Sequence, residues 1–157
     1  MAGRVKPIPE GYNRVTPYLV VEGAAEAIEF YKRAFDATEV MRFPAPDDKI
    51  GHAEIKIGDS TVMLADAVPE RGHKSPKVLG GSPISLLLYV EDVDRTVERA
   101  VEMGAKLVRP VENQFYGDRT GGVEDPFGHQ WYVATHVEDV SPEDMRRRMD
   151  AMAAAAK

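Results

Sequence analysis

The stretch VTPYLVVEGAAEAIEFYKRAF, residues 15–35, decides the fold because its hydrophobic period changes halfway along it. Its first seven residues have the β-branched and aromatic character of a strand. After Gly23 the apolar residues recur at helical spacing, with acidic and basic residues on the other side. The stretch therefore predicts a strand followed by an amphipathic helix, whose apolar face consists of Ala24, Ala27, Ile28, Tyr31, Ala34 and Phe35.

Three further strands are predicted after this helix. The candidates are VMRF at 40–43, the alternating IGHAEIKIG at 50–58 and the apolar TVMLA at 61–65. A Pro- and Asp-rich stretch and the pair Gly58-Asp59 supply turns between them. The order of one strand, one helix and three strands defines module one, at about residues 12–68.

The same order recurs after a linker at residues 69–82 that is rich in Pro, Gly and Ser. Module two, at about residues 83–139, contains the strand ISLLLYV, a helix that starts at Asp92, and the strand candidates AKLVRPV, YGDRTGGVED and HQWYVATHV. Superposing Val21 on Val90 gives an offset of 69 residues, and superposing Gly58 on Gly128 gives 70. Two copies that stay in register over their full length indicate an internal duplication.

Each module alone is too small to bury its own sheet face, so the two are predicted to pair into a single domain over residues 1–157. A C-terminal helix is predicted at about residues 141–155, with Ser141 as its N-cap and Pro142 in its first turn. Its methionines are predicted to dock on the same domain or, as the alternative, on a second subunit; they are Met145, Met149 and Met152.

Composition excludes several classes of function. The 157 residues include no cysteine, which rules out disulfides, thiolate metal sites and a thiol nucleophile. The net charge is −6 and the only basic run is at residues 146–148, so no nucleic-acid partner is expected. No run approaches the ~18 apolar residues of a membrane span, and the N-terminus lacks the apolar segment of a signal peptide. A cytoplasmic protein without a membrane partner is expected.

A resemblance to a known family rests on four stretches of the chain. They are VTPYLVVEGAAEAIEFYKRAFDA, IGHAEIKIGDSTVML, LYVEDVDRTVERAVEMGA and FYGDRTGGVEDPFGHQWYVATHVED. These stretches resemble the PhnB-like branch of the vicinal oxygen chelate superfamily, which includes glyoxalase I, bleomycin-resistance proteins and extradiol dioxygenases. The resemblance covers roughly residues 12–139. It implies an α+β fold in which two paired βαβββ modules form curved mixed sheets around a cavity, and it implies a homodimer.

Members of the superfamily that perform metal chemistry resemble one another in holding the ion on the first and last strand of each module. Carried onto this sequence, those positions are Thr16, Val62 (or Leu64, on the same face), Ser85 and Tyr132. Hydroxyl and phenol groups compete poorly with imidazole or carboxylate for a divalent cation. We therefore expect no metal and no other cofactor at the usual positions, and the resemblance implies that Tyr132 faces the cavity instead.

The alternating strand supplies the best acid/base candidates. His52, Glu54 and Lys56 share one face, and the apolar residues between them share the other. If the polar face lines the cavity, His52 and Glu54 form a candidate catalytic pair. The alternative is a solvated face whose charges pair across strands, and the sequence leaves both interpretations open.

Parity along the strands also predicts ligand-binding side chains. Because alternate residues share a face, one set of positions on the first, fifth and last strands is predicted to line the cavity. His136 shares the parity of Tyr132 at the far end of its strand. The ligand-binding candidates on the strands are Thr16, Tyr18, Ser85, Tyr89 and Tyr132.

A second constellation lies in FYGDR, residues 115–119. Arg119 beside the aromatic wall of Phe115 and Tyr116 suits an anionic or planar ligand, since a guanidinium forks onto a carboxylate or phosphate. The alternative, slightly favoured, is an ion pair between Asp118 and Arg119 that fixes a loop.

The repeat also yields predictions near the last hairpin. Glu124 is the predicted repeat partner of Glu54, at an offset of 70 residues. The sequence DPFG at residues 125–128 predicts a turn that contributes packing and no chemistry.

The sequence leaves the functional class open between two hypotheses. The first is a metal-independent small-molecule binding protein, similar to bleomycin-resistance proteins. The alternative is a glyoxalase-like lyase or isomerase that uses His52 and Glu54 as acid and base, or as ligands of a nonstandard metal site.

Overall fold

The computed structural model describes residues 5–156 of the chain. They form two compact units, with the boundary between Ser82 and Pro83. Each unit is described by itself below. The pairing of the two modules into a single domain around a cavity stays a prediction.

The first unit contains a mixed sheet covered by one helix. Its strand order is β1-β4-β3-β2, with β1 parallel to β4 and the other neighbours antiparallel. A single 3₁₀ turn, Pro69–Arg71, and a short helix α2, Pro76–Leu79, follow the sheet in the predicted linker. The main elements are β1 (Tyr18–Val21), α1 (Ala24–Phe35), β2 (Thr38–Pro44), β3 (Ile50–Ile57) and β4 (Ser60–Asp66).

The second unit repeats this topology. Its strand order is β5-β8-β7-β6, with β5 parallel to β8 and the other neighbours antiparallel. Both modules therefore have the βαβββ order, which confirms the predicted α+β fold class with its C-terminal helix. The elements are β5 (Ser85–Tyr89), α3 (Val93–Glu102), β6 (Lys106–Asn113), β7 (Asp118–Glu124), β8 (Gln130–His136) and α4 (Pro142–Ala155).

The core of each module lies between its helix and one face of its sheet. All six apolar positions predicted for the first helix are buried, and Tyr31 is completely inaccessible to solvent. Under α1 the sheet contributes Ala53, Ile55 and Leu64, each with no exposed surface. Full burial of a large apolar side chain contributes roughly 1.5–3 kcal/mol. The covered face therefore stabilises the module, and polar chemistry is left to the opposite face.

Helix α1 begins against a carboxylate supplied by the end of β4. Asp66 Oδ1 accepts hydrogen bonds from the backbone N–H groups of residues 23 and 24 at 2.9 and 3.0 Å, and its Oδ2 accepts from Ile50 N at 2.8 Å. A negative charge at a helix N-terminus is favourable because the helix dipole is positive there. In module two Thr135 Oγ1 accepts from Val93 N at 2.9 Å, so the last strand of each module fixes the start of its helix.

The predicted turn at residues 125–128 closes the β7–β8 hairpin around a buried carboxylate. Asp125 Oδ1 accepts from the backbone N–H groups of Phe127 and His129, each at 2.9 Å. Its Oδ2 accepts from Trp131 Nε1 at 2.9 Å. Asp125 and Trp131 are both buried, so the turn residue also orients an indole into the core.

The C-terminal helix is anchored by an arginine. The Arg148 guanidinium forks onto the carboxylate of Glu138 at 2.9 and 2.6 Å and donates to the backbone oxygen of Phe115 at 3.1 Å. Met149 and Met152 are exposed, so the prediction that they dock on the same domain is wrong, and their docking on a second subunit stays a prediction. No helix within residues 5–156 is long and apolar enough to cross a membrane.

Replacing Asp66 with alanine is expected to lower the free energy of unfolding by about 1–3 kcal/mol, because backbone N–H groups lose their acceptor. Asp66→Asn keeps one acceptor oxygen and is expected to lose less. Urea denaturation followed by circular dichroism measures both variants. In the control Glu98→Ala, at an exposed position of α3, the change is expected to stay within about 0.5 kcal/mol. An Asp66→Ala loss no larger than the control's would contradict the role given to Asp66.

Candidate functional site

A row of side chains crosses the sheet of module one on the face opposite α1. The strand register places Tyr18 beside Met63, Met63 beside Glu54, and Glu54 beside Met41. His52 shares this face because it lies two residues before Glu54 on β3. The structure therefore brings three of the predicted site residues together on one surface.

A continuous chain of hydrogen bonds joins these polar groups. Tyr18 Oη lies 2.8 Å from His52 Nδ1, and His52 Nε2 lies 3.2 Å from Glu54 Oε1. Tyr12 Oη donates to Glu54 Oε2 at 2.5 Å. The chain of Tyr18, His52, Glu54 and Tyr12 is called the module-one network below.

Burial decides between the two interpretations of this strand face. Glu54 is only 5% exposed, so it is not part of a solvated surface. The His52 side chain is 26% exposed and Tyr18 is 48% exposed. The module-one network thus runs from a buried carboxylate to a phenol that solvent and ligands reach.

The positions of the protons in the network follow from its geometry. An ionised carboxylate only accepts hydrogen bonds, so a neutral His52 carries its hydrogen on Nε2 and accepts from Tyr18 at Nδ1. Burial and the negative charge of Glu54 raise the pKa of the Tyr18 phenol. The hydrogen bond to Glu54, burial and the same charge raise the pKa of Tyr12. Both phenols therefore keep their hydrogens at neutral pH, and Tyr12 donates its own to Glu54.

Two aromatic rings flank His52. The ring of Phe43 is stacked on it, with centroids 6.2 Å apart and planes at 21°. The ring of Tyr18 is tilted against it, with centroids 5.5 Å apart. Phe43 is 57% exposed, so the site presents flat apolar surface beside its polar groups. Sequence reasoning predicted neither Phe43 nor Tyr12 at the site.

A second network lies in module two. Tyr89 Oη donates to Asp118 Oδ2 at 2.8 Å, and His136 Nδ1 lies 2.7 Å from Asp118 Oδ1. His136 Nε2 lies 2.9 Å from Asp139 Oδ1. The register agrees with the prediction that His136 shares the face of Tyr132, since His136 lies opposite Asp118 and Tyr132 lies opposite Gly122. The hydrogen-bond partners of His136 on this face are Asp118 and Asp139.

The surroundings of His136 favour its imidazolium form. Both of its ring nitrogens face carboxylates, which offer no hydrogen of their own, so each nitrogen must donate. The hydrogen bonds to Asp118 and then to Asp139 raise the pKa of His136. Burial acts to raise the pKa of Asp118, but the hydrogen bonds from His136 and Tyr89 outweigh it and lower that pKa. Module two therefore pairs its buried carboxylate with a cation.

The predicted ion pair between Asp118 and Arg119 is wrong. Neighbouring residues on a strand point to opposite faces, so the two side chains diverge. Arg119 instead forks onto Asp94, with both N–O distances 2.7 Å, and donates to Asn113 at 3.1 Å. Its guanidinium thus ties β7 to the first turn of α3 and serves the fold.

Tyr132 lies opposite Gly122 on the neighbouring strand. Its ring comes within 3.4 Å of the position that a Cβ on Gly122 would take, and the Arg109 guanidinium lies 5.3 Å from the ring centroid. A larger side chain at residue 122 would press on this ring. The structure therefore places Tyr132 on a surface built by Arg109 and a glycine.

The register also corrects the repeat partner of Glu54. Met63 on β4 and Tyr132 on β8 are equivalent positions of the two modules, at an offset of 69 residues. Glu54 lies opposite Met63 and Gly122 lies opposite Tyr132, so the counterpart of Glu54 is Gly122 and not Glu124. The β7–β8 turn is longer than the β3–β4 turn, so the offset measured at the turns does not hold inside the strands.

The structure corrects the β4 position that the resemblance implied for a metal ligand. Val62 and Leu64 lie in register with the core residues Ile55 and Ala53 and are buried, so they do not share the open face. Met63, which lies opposite Glu54, is on that face instead.

The corrected donor set does not fit a divalent metal. It consists of two hydroxyls, a thioether and a phenol, from Thr16, Ser85, Met63 and Tyr132. Thr16 lies before β1 and donates to the backbone oxygen of Asn13 at 3.0 Å, and Ser85 is exposed at the start of β5. Within residues 5–156 no three His, Cys, Asp or Glu side chains are grouped so that they could hold an ion.

The remaining candidates, Phe115 and Tyr116, lie in the loop before β7. Their rings meet edge to face with centroids 5.2 Å apart. The backbone oxygen of Phe115 anchors α4 through Arg148. The structure does not bring Arg119 into contact with a ligand surface beside them, because Asp94 holds it.

Comparison with known proteins supports the resemblance seen in the sequence. Residues 11–133 match the sequence profile of the Glyoxalase/Bleomycin resistance protein/Dioxygenase superfamily. An uncharacterized protein of Mycobacterium tuberculosis is 46% identical over 140 residues, which cover 87% of this chain and 82% of that protein.

Solved structures show the same fold. A gene product of Arabidopsis thaliana is similar with a TM-score of 0.64 and 29% identity, over 78% of this chain and 98% of that one. The PhnB protein of Bacillus cereus is similar with a TM-score of 0.62 and 19% identity, over 78% of this chain and 99% of that one. At that identity the second similarity shows the fold alone.

The pKa of His136 is expected to lie above the ~6.5 of an unperturbed histidine and to fall in Asp118→Asn, because the variant removes a carboxylate partner. The contribution of His136 to the free energy of unfolding is therefore fully present below the pKa that this histidine has in the unfolded chain. It is lost as the pH rises through the higher pKa of His136 in the folded chain. The Asp118 contribution is present above that residue's unfolded pKa and is lost on acidification through its lowered folded pKa. NMR titration of the ring protons measures both variants, with Asp150→Asn on α4 as the control of equal charge change. A His136 pKa at the ordinary value, or one that Asp118→Asn leaves in place, would contradict the imidazolium.

Proposed function

Because this chain belongs to the glyoxalase/bleomycin resistance protein/dioxygenase superfamily, we propose that it is a small-molecule binding protein that works without a metal ion. The proposed binding surface is the sheet face of module one that carries Tyr18, His52 and Glu54. Two features support the proposal: the donor set at the usual metal positions and the closed module-one network.

The observation that carries the proposal is the saturation of this network. Both ring nitrogens of His52 and both carboxylate oxygens of Glu54 already have hydrogen-bond partners in the protein. A metal ion bound to either side chain would have to break one of these hydrogen bonds, and a buried polar group that loses its partner costs about 1–3 kcal/mol. An organic ligand needs no such displacement, because it binds the exposed rings.

The aromatic surface supplies the attraction. Tyr18 and Phe43 are each about half exposed, at 48% and 57%. A planar ligand that covers them gains about 25 cal/mol for each Å² of apolar surface removed from water. Tyr89 and Tyr132 offer a second aromatic surface in module two. Thr16 and Ser85 supply hydroxyl groups that contact the ligand beside these surfaces.

The proposal also includes the assembly and the compartment that the resemblance implies. We infer a homodimer that works in the cytoplasm. Sedimentation velocity on the full chain distinguishes a dimer from a monomer.

Protein purified without a chelator or a histidine tag is expected to contain well under one divalent ion per chain, because the donor set suits none. Titration with Ni²⁺, Zn²⁺, Mn²⁺ and Fe²⁺ is expected to leave the thermal midpoint unchanged. Elemental analysis and a thermal melt measure this. About one tightly held ion per chain, lost in His52→Ala but kept in the control His73→Ala, would contradict metal independence and reveal a nonstandard site.

A second function is favoured by the contact between His52 and Glu54. Their pairing has the geometry of an acid/base dyad: a buried carboxylate orients an imidazole whose other nitrogen reaches toward solvent through Tyr18. We infer a lyase or isomerase step in which the carbon beside a substrate carbonyl gives its proton to Tyr18 Oη as the phenol proton passes to His52 Nδ1, and the electron pair of the broken C–H bond stays on the substrate as an enolate. Glu54 then stabilises the imidazolium that forms.

This alternative predicts deuterium exchange at the carbon beside a carbonyl group. In a panel of α-oxo and α-hydroxy carbonyl compounds in D₂O, ¹H NMR is expected to show exchange with the wild-type chain. His52→Ala, Glu54→Gln and Tyr18→Phe are each expected to slow it by about 10²-fold or more. His73→Ala is the matched control. Exchange that survives both His52→Ala and Glu54→Gln would rule out the acid/base roles.

A further inference from the structure

The two buried carboxylates of the networks differ in their charge balance. Asp118 has the imidazolium of His136 beside it at 2.7 Å. Glu54 is buried against the Tyr12 phenol at 2.5 Å and the His52 ring at 3.2 Å, and in the described residues no lysine or arginine forms an ion pair with it. A buried charge without a counter-charge is costly even when it is hydrogen-bonded. Module one therefore holds a negative charge that a ligand could neutralise.

Nearby basic residues do not supply the missing charge. Lys56 shares the face of Glu54 on β3, but in the part of the chain that the structure describes it forms no ion pair with Glu54 within 4 Å. Arg42 on β2 is taken by Glu39, at 2.5 and 2.7 Å. Within residues 5–156, neither basic side chain therefore forms an ion pair with Glu54.

The hydroxyl group of Tyr18 also favours a ligand that donates hydrogen bonds. Its oxygen lies 2.8 Å from His52 Nδ1, and the phenol donates its hydrogen there when the ring carries its own hydrogen on Nε2. The phenol oxygen consequently offers lone pairs, and no hydrogen, to a group that approaches from solvent. The Tyr18 oxygen can therefore accept a hydrogen bond from a ligand donor, and it repels the lone pairs of a ligand acceptor.

We propose that module one binds a planar organic cation whose N–H groups donate to Tyr18 while its ring covers Tyr18 and Phe43. An amidinium or a protonated nitrogen heterocycle on an aromatic ring has this chemistry. The inference rests on the proposed binding function and adds the ligand class to it. Glu54 supplies the counter-charge from beneath, and the two rings supply the apolar and cation–π contacts.

Three ligands of nearly equal shape test the charge preference. They are naphthalene-2-carboximidamide, a cation with N–H donors; 2-naphthamide, its neutral analogue; and 2-naphthoate, an anion without donors. Titration of the full chain by NMR is expected to give the affinity order amidine, amide, carboxylate, with amidine and carboxylate separated by about tenfold or more. Ring resonances of His52 and Tyr18 are expected to shift on binding.

Two variants assign the preference to residues. Glu54→Gln keeps the shape of the side chain and removes its charge, so the separation between amidine and carboxylate is expected to shrink to about threefold or less. Glu102→Gln, at an exposed position of α3, makes the same change in net charge and is expected to leave the separation unchanged. Tyr18→Phe removes the acceptor and is expected to weaken the amidine more than the carboxylate. Circular dichroism confirms that each variant folds.

The outcomes separate the ligand class from the binding function. Equal affinities, or a tighter carboxylate, with shifts at His52 would overturn the cation preference while leaving the proposed binding site in place. No shift at His52 or Tyr18 with any of the three ligands would count against the proposed function itself. If Glu54→Gln fails to fold, the wild-type series and Tyr18→Phe still decide the ligand class.

Discussion

Alternation of side chains between the two faces of each sheet is the constraint on which this structure depends. One face of each sheet is covered by a helix, so its positions must be apolar; Ala53, Ile55 and Leu64 are fully buried there. Every second residue is then forced to the open face. Because β3 places His52 and Glu54 at such positions, the open face becomes the place where carboxylate, imidazole and phenol meet. The two-residue alternation along the strands therefore determines both the apolar core and the polar groups of the open face.

Much of the fold was predictable because local patterns reflect this constraint. The helical spacing of residues 24–35 and the alternation of residues 50–57 predicted one helix face and two strand faces correctly. The strand at residues 61–65 is apolar on both faces, so its pattern did not show that Met63 rather than Val62 lies on the open face. The duplication predicted the topology, but its offset failed inside β7 because the two hairpin turns differ in length.

The site was predictable only where it lies on a regular strand. His52 and Glu54 were found by alternation, whereas Tyr12 reaches Glu54 from an irregular segment 42 residues away and no local pattern marks it. Asp139 likewise meets His136 beyond the end of β8. The predicted ion pair between Asp118 and Arg119 could have been excluded from the sequence, since adjacent strand residues point to opposite faces. Contacts distant in sequence depend on packing, which a single sequence does not encode in local form.

Duplication explains why the two networks have diverged in charge. Each module keeps the same scaffold contacts, with Asp66 and Thr135 at equivalent places holding the start of a helix. The open faces carry no such structural duty, so they are free to differ. Module two places His136 between the carboxylates of Asp118 and Asp139, whereas in module one the partners of His52 are one carboxylate, Glu54, and the phenol of Tyr18. A carboxylate that the fold buries without a cation stabilises nothing by its charge alone. The two modules therefore share a scaffold and differ in the hydrogen-bond partners of the buried carboxylate on the open face.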